Sequence, residues 1–466
     1  QMEKGGFLIR ARDPDFRFKR LEILREKGTF RLRFSALNHA PFDEDTQIAS
    51  FPWSLEAYRG DWRAGADIYA EWLRGQAGLR AGEPQGPDWV REIRFVVITG
   101  MNTELLPELA RRVDPTQTLL YVPGWRRDPY DVNYPDYTAA PAFGPFVERA
   151  HGLGFRVMPH VNYFGCDVNH PLYERFEKVQ LRAPGTGERM WWIPPLQRGE
   201  TDEPSLKFAY IHPGSGAWRR LLVERFRTVV EEYGVDAFHL DQTLVIPNHA
   251  GGRVDGLTVP EANRRFHRDL REALPDVALS GEGLNEVTLV GEAFAQRHAS
   301  RAVNHVHKTW NDDFIRCGHP ISSFLFFPHT VLYGYLGMSP PTNAGVFNAW
   351  IRAYQNWGVI PTLARPSTSM FDSPSPETRM LLDLARVWIE GCLMPDWRGP
   401  RPDDLLFRCS GPSGESLAIR RLENGTRAVW ADAGGDGREL YRYLSGLNRY
   451  RGSGRIAGAA AYDAEG

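Results

Sequence analysis

From about residue 92 onward, strand-like and helical segments alternate along the chain, and this alternation is the feature that most constrains the fold. The clearest helical pattern covers 217–233, where apolar residues recur at helical spacing and Gly234 follows the last turn. A second helix is predicted over Glu261–Leu274, directly before a proline. Short apolar runs typical of buried strands occur at 93–100, 118–125, 155–165, 235–242, 277–283, 300–310, 321–327 and 358–363.

Strand–helix–strand alternation indicates parallel strands joined by crossover helices. Up to eight such strands in about 300 residues suit a (β/α)8 barrel. A doubly wound open sheet is the rival arrangement, but no GxGxxG motif follows the first strand. We therefore predict an α/β protein, a (β/α)8 TIM barrel flanked by N-terminal and C-terminal β-rich, sandwich-like segments.

The regions on either side of the barrel have a different pattern. Short alternating runs broken by turn signals mark 1–60 as β-rich. Similar runs, separated by "NG" and "GG", predict a C-terminal β-domain over 403–466. Between the first segment and the barrel, 61–91 are predicted to form a helix followed by a linker rich in glycine and proline. The barrel itself is expected to occupy 92–402.

The composition argues against several classes of function. A net charge of −2 offers no basic surface for nucleic acid, and no run of eighteen apolar residues predicts a membrane helix. The opening "QMEKGGFLIR" lacks the apolar core of a signal peptide. The four cysteines form no CxxC pair, so neither a disulfide framework nor a zinc site is expected. These features favour a cytoplasmic location and leave the oligomeric state open.

Two carboxylates stand at the ends of neighbouring predicted strands. Asp241 ends the run "GVDAFHLDQ" and Glu282 ends "ALSGEG", with one crossover helix between them. Active sites of such barrels lie at the carboxyl ends of the strands, so both side chains are expected to face one pocket. Glycoside hydrolases use such pairs, about 5–5.5 Å apart in retaining enzymes and about 6.5–9.5 Å apart in inverting ones. Adjacent strands favour the shorter gap. Glu286 and Glu292 are alternatives to Glu282 as the acid.

Further polar and aromatic residues follow the predicted strands and are candidates for binding a sugar. Aromatic rings can stack on the apolar face of a pyranose, and polar side chains can bond its hydroxyls. The candidates are Trp125, Arg126, His160, Asn162, Tyr163, His239, His307, Trp310, Asp312 and Asp313. The pair His305 and His307 in "NHVH" offers a metal alternative, but it comes after the carboxylate pair. We predict no metal and no cofactor.

Three of these segments resemble motifs of a known group of enzymes. "GVDAFHLDQ" resembles the fourth-strand motif Gly-Val-Asp-Gly-Phe-Arg-Leu-Asp of α-glycosidase barrels such as the α-amylase-like enzymes. "ALSGEG" and "FRVMPHVNYFG" resemble their fifth- and third-strand segments. The layout, with "GGFLIRARDPD" early and "GDWRAGADIYAEWL" before the barrel, is closer to bacterial proteins related to endo-α-N-acetylgalactosaminidases. The resemblance in layout extends over roughly residues 5–400, whereas the motifs themselves cover few residues.

The resemblance implies that Asp241 is the nucleophile and Glu282 the acid/base. The chain departs from the amylase motif at His239, where those enzymes have an arginine that supports the nucleophile. The third carboxylate that binds substrate hydroxyls in those barrels has no clean match, although Asp312 or Asp313 is a candidate. Substrate specificity therefore does not follow from the resemblance.

Two classes of function remain after this reasoning. The first is a retaining glycoside hydrolase that cleaves an α-linked sugar, with a carbohydrate as its only predicted partner. The second is a non-catalytic carbohydrate-binding barrel, or a metal-dependent hydrolase that uses the region of His305 and His307. The identity of the sugar and the choice between exo and endo action stay open.

Overall fold

The protein is described by a computed structural model. It covers residues 5–42, 47, 49–60, 62–80, 85–192, 208–299, 303–304, 309–311, 321–326, 329–335, 344–375, 378–379, 381–382, 385, 407–410, 416–421 and 427–432.

An eight-stranded parallel sheet is the centre of the fold, and its strand order confirms the predicted (β/α)8 barrel. An isolated parallel bridge between Tyr333 and Ile360 links the two end strands of the order. The strands are β5 (Phe95–Ile98), β6 (Thr118–Val122), β7 (Arg156–Asn162), β11 (Ala237–Asp241), β12 (Ala278–Gly281), β13 (Phe294–Arg297), β16 (Val331–Gly334) and β17 (Thr362–Ala364). Their order is β16-β13-β12-β11-β7-β6-β5-β17.

The first five strands follow the prediction, but the sixth and seventh do not. The sixth is β13, and the predicted run 300–310 instead contains a short antiparallel ladder of β14 (Val303–Asn304) and β15 (Thr309–Trp310). The predicted strand 321–327 is a helix over Ile321–Phe326. The second error arose because a short apolar run does not distinguish a buried strand from a buried helix.

Helices lie between the barrel strands along the chain. The predicted helices 217–233 and Glu261–Leu274 are confirmed within one or two residues. The helices are α1 (Trp62–Ala77), α2 (Leu105–Ala110), α3 (Phe143–Leu153), α4 (Tyr173–Phe176), α5 (Gly216–Tyr233), α6 (Val259–Ala273), α7 (Ile321–Phe326), α8 (Ala344–Trp357) and α9 (Thr368–Asp372). None of the helices in the described part of the chain is long and apolar enough to span a membrane.

Helix α5 has defined ends that set the start of the strand bearing Asp241. The Ser215 side chain accepts from Trp218 N at the N-terminus, and Gly234 follows the helix with φ of 67°. Glycine adopts this left-handed conformation without a Cβ penalty, so the chain can reverse directly into β11.

Helix α6 precedes the strand that leads to Glu282 and begins with a capping box. The side chain of Thr258 accepts from Glu261 N, and the Glu261 carboxylate accepts from Thr258 N. Two of the unpaired N–H groups at the start of the helix are satisfied in this way.

Small antiparallel sheets flank the barrel strands. The predicted β-rich N-terminus contains β1 (Gly5–Ala11) paired with β4 (Trp53–Arg59), and β2 (Phe18–Glu26) paired with β3 (Thr29–Leu37). Near the candidate site, β8 (Gly165–Asp167), β10 (Phe208–Tyr210) and β9 (Trp191–Trp192) form a three-stranded sheet. The C-terminal runs form β18 (Phe407–Ser410), β19 (Ser416–Arg421) and β20 (Arg427–Asp432).

The chain divides into two compact units. The first comprises 1–81, 124–143 and 160–292, and the second comprises 82–123, 144–159 and 293–466. All the side chains of the site described below belong to the first unit. The predicted domain boundaries at 60, 91 and 402 stay predictions.

Candidate active site

Three neighbouring parallel strands bring the central side chains together. The register of β7 and β11 places His239 beside His160 and Asp241 beside Asn162. The backbone N–H of Glu282 donates to the carbonyl of the residue before Asp241 at 3.1 Å. The two carboxylates predicted from the sequence therefore lie at the carboxyl ends of adjacent strands.

Asn162 holds the buried carboxylate of Asp241 in a defined position. Its Oδ1 accepts from the backbone N–H groups of Phe164 at 3.2 Å and Gly165 at 2.7 Å. Because these two donors fix which end of the amide is the oxygen, Nδ2 is left to donate to Oδ2 of Asp241 at 3.2 Å. The carboxylate receives a side-chain hydrogen bond that favours its ionised form.

The backbone N–H of Gln242, the residue after Asp241, donates to Oε2 of Glu282 at 3.0 Å. The same N–H group favours the ionised form of Asp241 and lowers its pKa. Gln242 adopts a left-handed conformation with φ of 63°, which is uncommon for a residue with a side chain. This hydrogen bond holds the Glu282 carboxyl against the backbone next to Asp241.

Burial and mutual repulsion control the protonation of this pair. Desolvation, followed by the charge of Glu282, raises the pKa of Asp241 well above its usual range. Desolvation also raises the pKa of Glu282, against a lowering by the Gln242 hydrogen bond. The two groups titrate together, so the pair as a unit holds a proton to higher pH than two isolated carboxyls do.

This repulsion predicts that Asp241→Asn stabilises the fold. The folded-state pKa of Asp241 is raised, so ionisation destabilises the folded protein once the pH exceeds the unfolded value of about 3.9. The amide removes that charge and is expected to raise the Tm at pH 7, with a gain that shrinks towards pH 4.5. Scanning calorimetry at both pH values measures it. An unchanged or lower Tm at pH 7 would contradict the expectation.

Two histidines lie beneath Asp241. The rings of His160 and His239 stack with centroids 5.5 Å apart, and Nδ1 of His239 lies 3.2 Å from the Ser280 hydroxyl oxygen. Burial, then the neighbouring His239, lowers the pKa of His160 well below the usual value, so His160 is neutral at pH 7. His239 occupies the sequence position at which the amylase motif has an arginine.

The same residues form the one group in the described part of the chain with metal-ligand character. His160, His239 and Asp241 each offer a ligand atom, and these atoms lie within 4.8 Å of one another. Nε2 of His160 lies 4.0 Å from Oδ2 of Asp241, near the upper limit for two atoms that share one zinc ion at about 2.1 Å. These three residues are therefore the candidate metal site in the described part of the chain.

A third carboxylate, Asp131, approaches the pair from the loop after β6. Its Oδ2 accepts from Nε1 of Trp192 at 2.9 Å, and its Oδ1 accepts from the Tyr134 hydroxyl at 3.4 Å. Its charge raises the pKa of both Asp241 and Glu282. Sequence reasoning missed this residue, because nothing in the irregular stretch "RRDPYDVNYPD" distinguishes Asp131 from its acidic neighbours.

Three of the predicted sugar ligands have structural roles instead. Trp125 and Tyr163 are almost fully buried, so neither ring has a face available for stacking on a sugar. Arg126 is also buried, and its guanidinium donates to the backbone carbonyls of three loop residues and lies over the ring of Tyr134. Their polar groups are used within the protein, so the expectation of direct sugar contact is corrected.

Glu286, one alternative for the acid, is bound by a residue outside the barrel. Its Oε1 accepts from the Tyr69 hydroxyl at 2.7 Å, and Tyr69 belongs to α1. This contact joins the loop after β12 to α1. It gives Glu286 a structural partner, whereas Glu282 accepts from the backbone next to Asp241.

We expect Glu286→Gln to leave turnover nearly intact. The amide keeps an oxygen that can accept from Tyr69, so kcat/KM should stay within about threefold of wild type, or about 0.7 kcal/mol. Steady-state kinetics on the best substrate measures this. A loss of several orders of magnitude would transfer the acid role to Glu286.

Glu292, the other alternative for the acid, packs against the backbone of β12. Its carboxylate is fully buried, with Oε1 3.5 Å from Nε2 of His267. Burial raises its pKa, and His267, Thr243 and Thr288 oppose that rise. It lies directly against Gly281, the residue before Glu282. It supports the backbone that carries Glu282.

Four predicted residues cannot be placed beside this pair. His305, His307, Asp312 and Asp313 lie outside the described residues. Trp310 is exposed and belongs to β15 in the second unit.

Comparisons with known proteins agree with this fold. Residues 49–291 match the model of a family described as a domain of unknown function, DUF6259. No curated protein sequence matches the chain. The solved alpha-N-acetylgalactosaminidase from Bifidobacterium bifidum, without ligand, has a TM-score of 0.59 at 13% identity, covering 93% of this chain and 73% of that one. Its GalNAc complex has a TM-score of 0.61 at 13% identity, covering 92% and 72%.

A second solved structure is also similar. The GH36 alpha-galactosidase from Geobacillus stearothermophilus has a TM-score of 0.52 at 11% identity, covering 89% of this chain and 58% of that one. At these identities the likeness establishes the fold. It confirms the predicted resemblance to α-glycosidase barrels, including the α-N-acetylgalactosaminidase type, at that level.

Proposed function

This chain belongs to the DUF6259 family, and from the geometry of its paired carboxylates we propose that it is a retaining glycoside hydrolase acting on an α-linked sugar. The observation that carries the proposal is the placement of both carboxylates at the ends of adjacent barrel strands, where Glu282 accepts at 3.0 Å from the N–H of Gln242, the residue after Asp241. Close carboxyl groups favour the retaining arrangement, whose gap is about 5–5.5 Å.

Asp241 acts as the nucleophile in this proposal. Its carboxylate attacks the anomeric carbon while the bond to the leaving oxygen breaks, which forms a glycosyl ester on Asp241. The hydrogen bond from Asn162 Nδ2 orients the carboxylate for this attack.

Glu282 acts first as acid and then as base. It donates a proton to the leaving oxygen. The pair retains a proton to higher pH than isolated carboxyls do because the pKa of each group is raised, and the reactive form has this proton on Glu282 and an ionised Asp241. Its ionised form then takes a proton from water, whose oxygen attacks the anomeric carbon and releases Asp241. Retention of configuration follows from the two successive inversions.

The structural neighbours suggest which sugars to test first. These neighbours are an alpha-N-acetylgalactosaminidase and an alpha-galactosidase, so aryl α-N-acetylgalactosaminides and aryl α-galactosides both belong in a panel of aryl α- and β-glycosides. We expect hydrolysis of at least one aryl α-glycoside, with the α-anomer as the first free sugar seen by NMR. A β-anomer as first product would contradict retention, and no hydrolysis of any α-glycoside would contradict the enzyme assignment.

A metal-dependent hydrolase is the second candidate, because His160, His239 and Asp241 can each offer a ligand. Metal analysis of the purified protein separates the two. One tightly bound ion per chain, together with loss of activity on chelation, would favour the metal reaction. Full activity in a chelator, with no bound ion, supports the two-carboxylate mechanism.

A further inference from the structure

We propose that Asp131 determines substrate specificity, by accepting a hydrogen bond from one hydroxyl or N–H group of a sugar without negative charge. The inference rests on the proposed glycosidase function and extends it to the class of sugar that the site accepts. It starts from a buried carboxylate that the two-carboxylate mechanism does not use.

The loop that carries Asp131 lies against the candidate active site. Tyr130, the residue before Asp131, packs its ring against His160 with centroids 4.7 Å apart. His160 in turn lies 4.0 Å from Oδ2 of Asp241. Two side chains, Tyr130 and His160, therefore connect the backbone next to Asp131 to the proposed nucleophile.

The loop is built to hold this position. The Arg126 guanidinium donates to the carbonyl oxygens of Pro129, Val132 and Asp136, on both sides of Asp131 in sequence. Asp131 itself has a left-handed conformation with φ of 63°. Non-glycine residues in this region are uncommon and need support from their surroundings, which the arginine supplies.

The Asp131 carboxylate keeps acceptor capacity after its contacts within the protein. One oxygen accepts from Trp192 Nε1 and the other from the Tyr134 hydroxyl. An ionised carboxylate has about four lone-pair sites, so the two donors orient the group and leave sites for a ligand. Burial raises the pKa of Asp131, and the hydrogen bonds from Trp192 and Tyr134 oppose that rise by favouring the ionised form.

The charge around the site limits which sugar can bind. Asp131, Asp241 and Glu282 form three carboxyl groups that interact electrostatically. One cation, Arg126, lies near Asp131 and favours its ionised form, so the three carboxyl groups outnumber the positive charge beside them, and His160 is neutral. A fourth carboxylate on the substrate would be repelled, so a neutral sugar rich in donors fits and a uronic acid does not.

A series of monodeoxy aryl glycosides tests this role. The series is based on the best substrate of the wild type. In the wild type, removal of one particular hydroxyl should lower kcat/KM by about 10- to 100-fold, the range for a hydrogen bond to a charged group. In Asp131→Asn and Asp131→Ala the same removal should cost little, because the acceptor has been weakened or removed. The matching aryl uronide should be about 100-fold poorer than the neutral sugar in the wild type and recover partly in Asp131→Asn.

Asp136→Asn is the matched control, since it deletes a partly exposed acid on the same loop and keeps the Oδ1 contact with Thr138. It should show the wild-type deoxy pattern. The proposal is overturned if Asp131→Asn lowers kcat/KM equally for every member of the series and the only other change from the wild type is a shift in the pH dependence of kcat/KM. That pattern would mean that Asp131 acts through the charge of the pair alone. Failure of the wild type to hydrolyse any aryl glycoside would instead overturn the proposed function itself.

Discussion

Asp241→Ala is expected to lower kcat by about 10⁴-fold or more, because the covalent intermediate cannot form without the nucleophile. Glu282→Gln should lose about 10²- to 10⁴-fold on substrates with poor leaving groups, the usual contribution of a general acid. On a dinitrophenyl glycoside, whose leaving group needs little protonation, the first step of Glu282→Gln should largely recover. Stopped-flow release of the phenol measures this step separately from turnover.

Glu286→Gln makes the same chemical change as Glu282→Gln, and Asp136→Asn removes a negative charge as Asp241→Ala does; both controls alter residues with structural contacts. Both should remain active, and circular dichroism should show that all the variants are folded. Near-normal kcat in Asp241→Ala would remove the nucleophile assignment. Equal losses in Glu282→Gln for good and poor leaving groups would remove the acid assignment.

Gly281→Ala should strongly destabilise the protein. A Cβ at this glycine would lie far inside van der Waals contact with the Glu292 carboxylate, which is buried and bound to His267. The carboxylate cannot swing into solvent, so the strand or the buried pair must shift. Overpacking of this kind costs about 1–3 kcal/mol and occasionally more. Urea unfolding followed by tryptophan fluorescence gives the change in free energy of unfolding.

Gly75→Ala is the control for that experiment. It makes the same substitution in helix α1, where an added Cβ meets nothing within 4 Å. Alanine favours a helix over glycine by up to about 1 kcal/mol, so this variant should be as stable as wild type or more so. An unfolding free energy for Gly281→Ala equal to that of Gly75→Ala would show that Glu292 does not pack against Gly281 as described.

The central strands could be predicted because buried strands consist mainly of apolar residues. β7, β11 and β12 are short apolar runs that end at polar residues, and such runs are visible without knowledge of the rest of the chain. β13, "FAQR", escaped detection because half of its residues are not apolar. Helix α7, "ISSFLF", was mistaken for a strand because a run of six residues shows no clear period.

The candidate site could be predicted only where it follows a strand. Asp241, Glu282 and Asn162 end or follow buried runs, so their position at the edge of the barrel follows from the pattern. Asp131 depends on contacts that no local pattern shows, since its partner Trp192 is 61 positions later in the chain. The burial of Trp125 was equally hidden, because its indole N–H donates to the carbonyl of a residue 35 positions away.

The configuration of the azide products from two variants tests the central claim most directly. With an activated α-glycoside and sodium azide, Glu282→Ala still forms the ester on Asp241, and azide then attacks it to give an α-glycosyl azide. Asp241→Ala leaves space on the opposite face, where azide attacks the substrate directly and gives a β-glycosyl azide. We expect NMR to show these two opposite anomers. The reverse assignment, or the same anomer from both variants, would contradict the roles of Asp241 as nucleophile and Glu282 as acid/base.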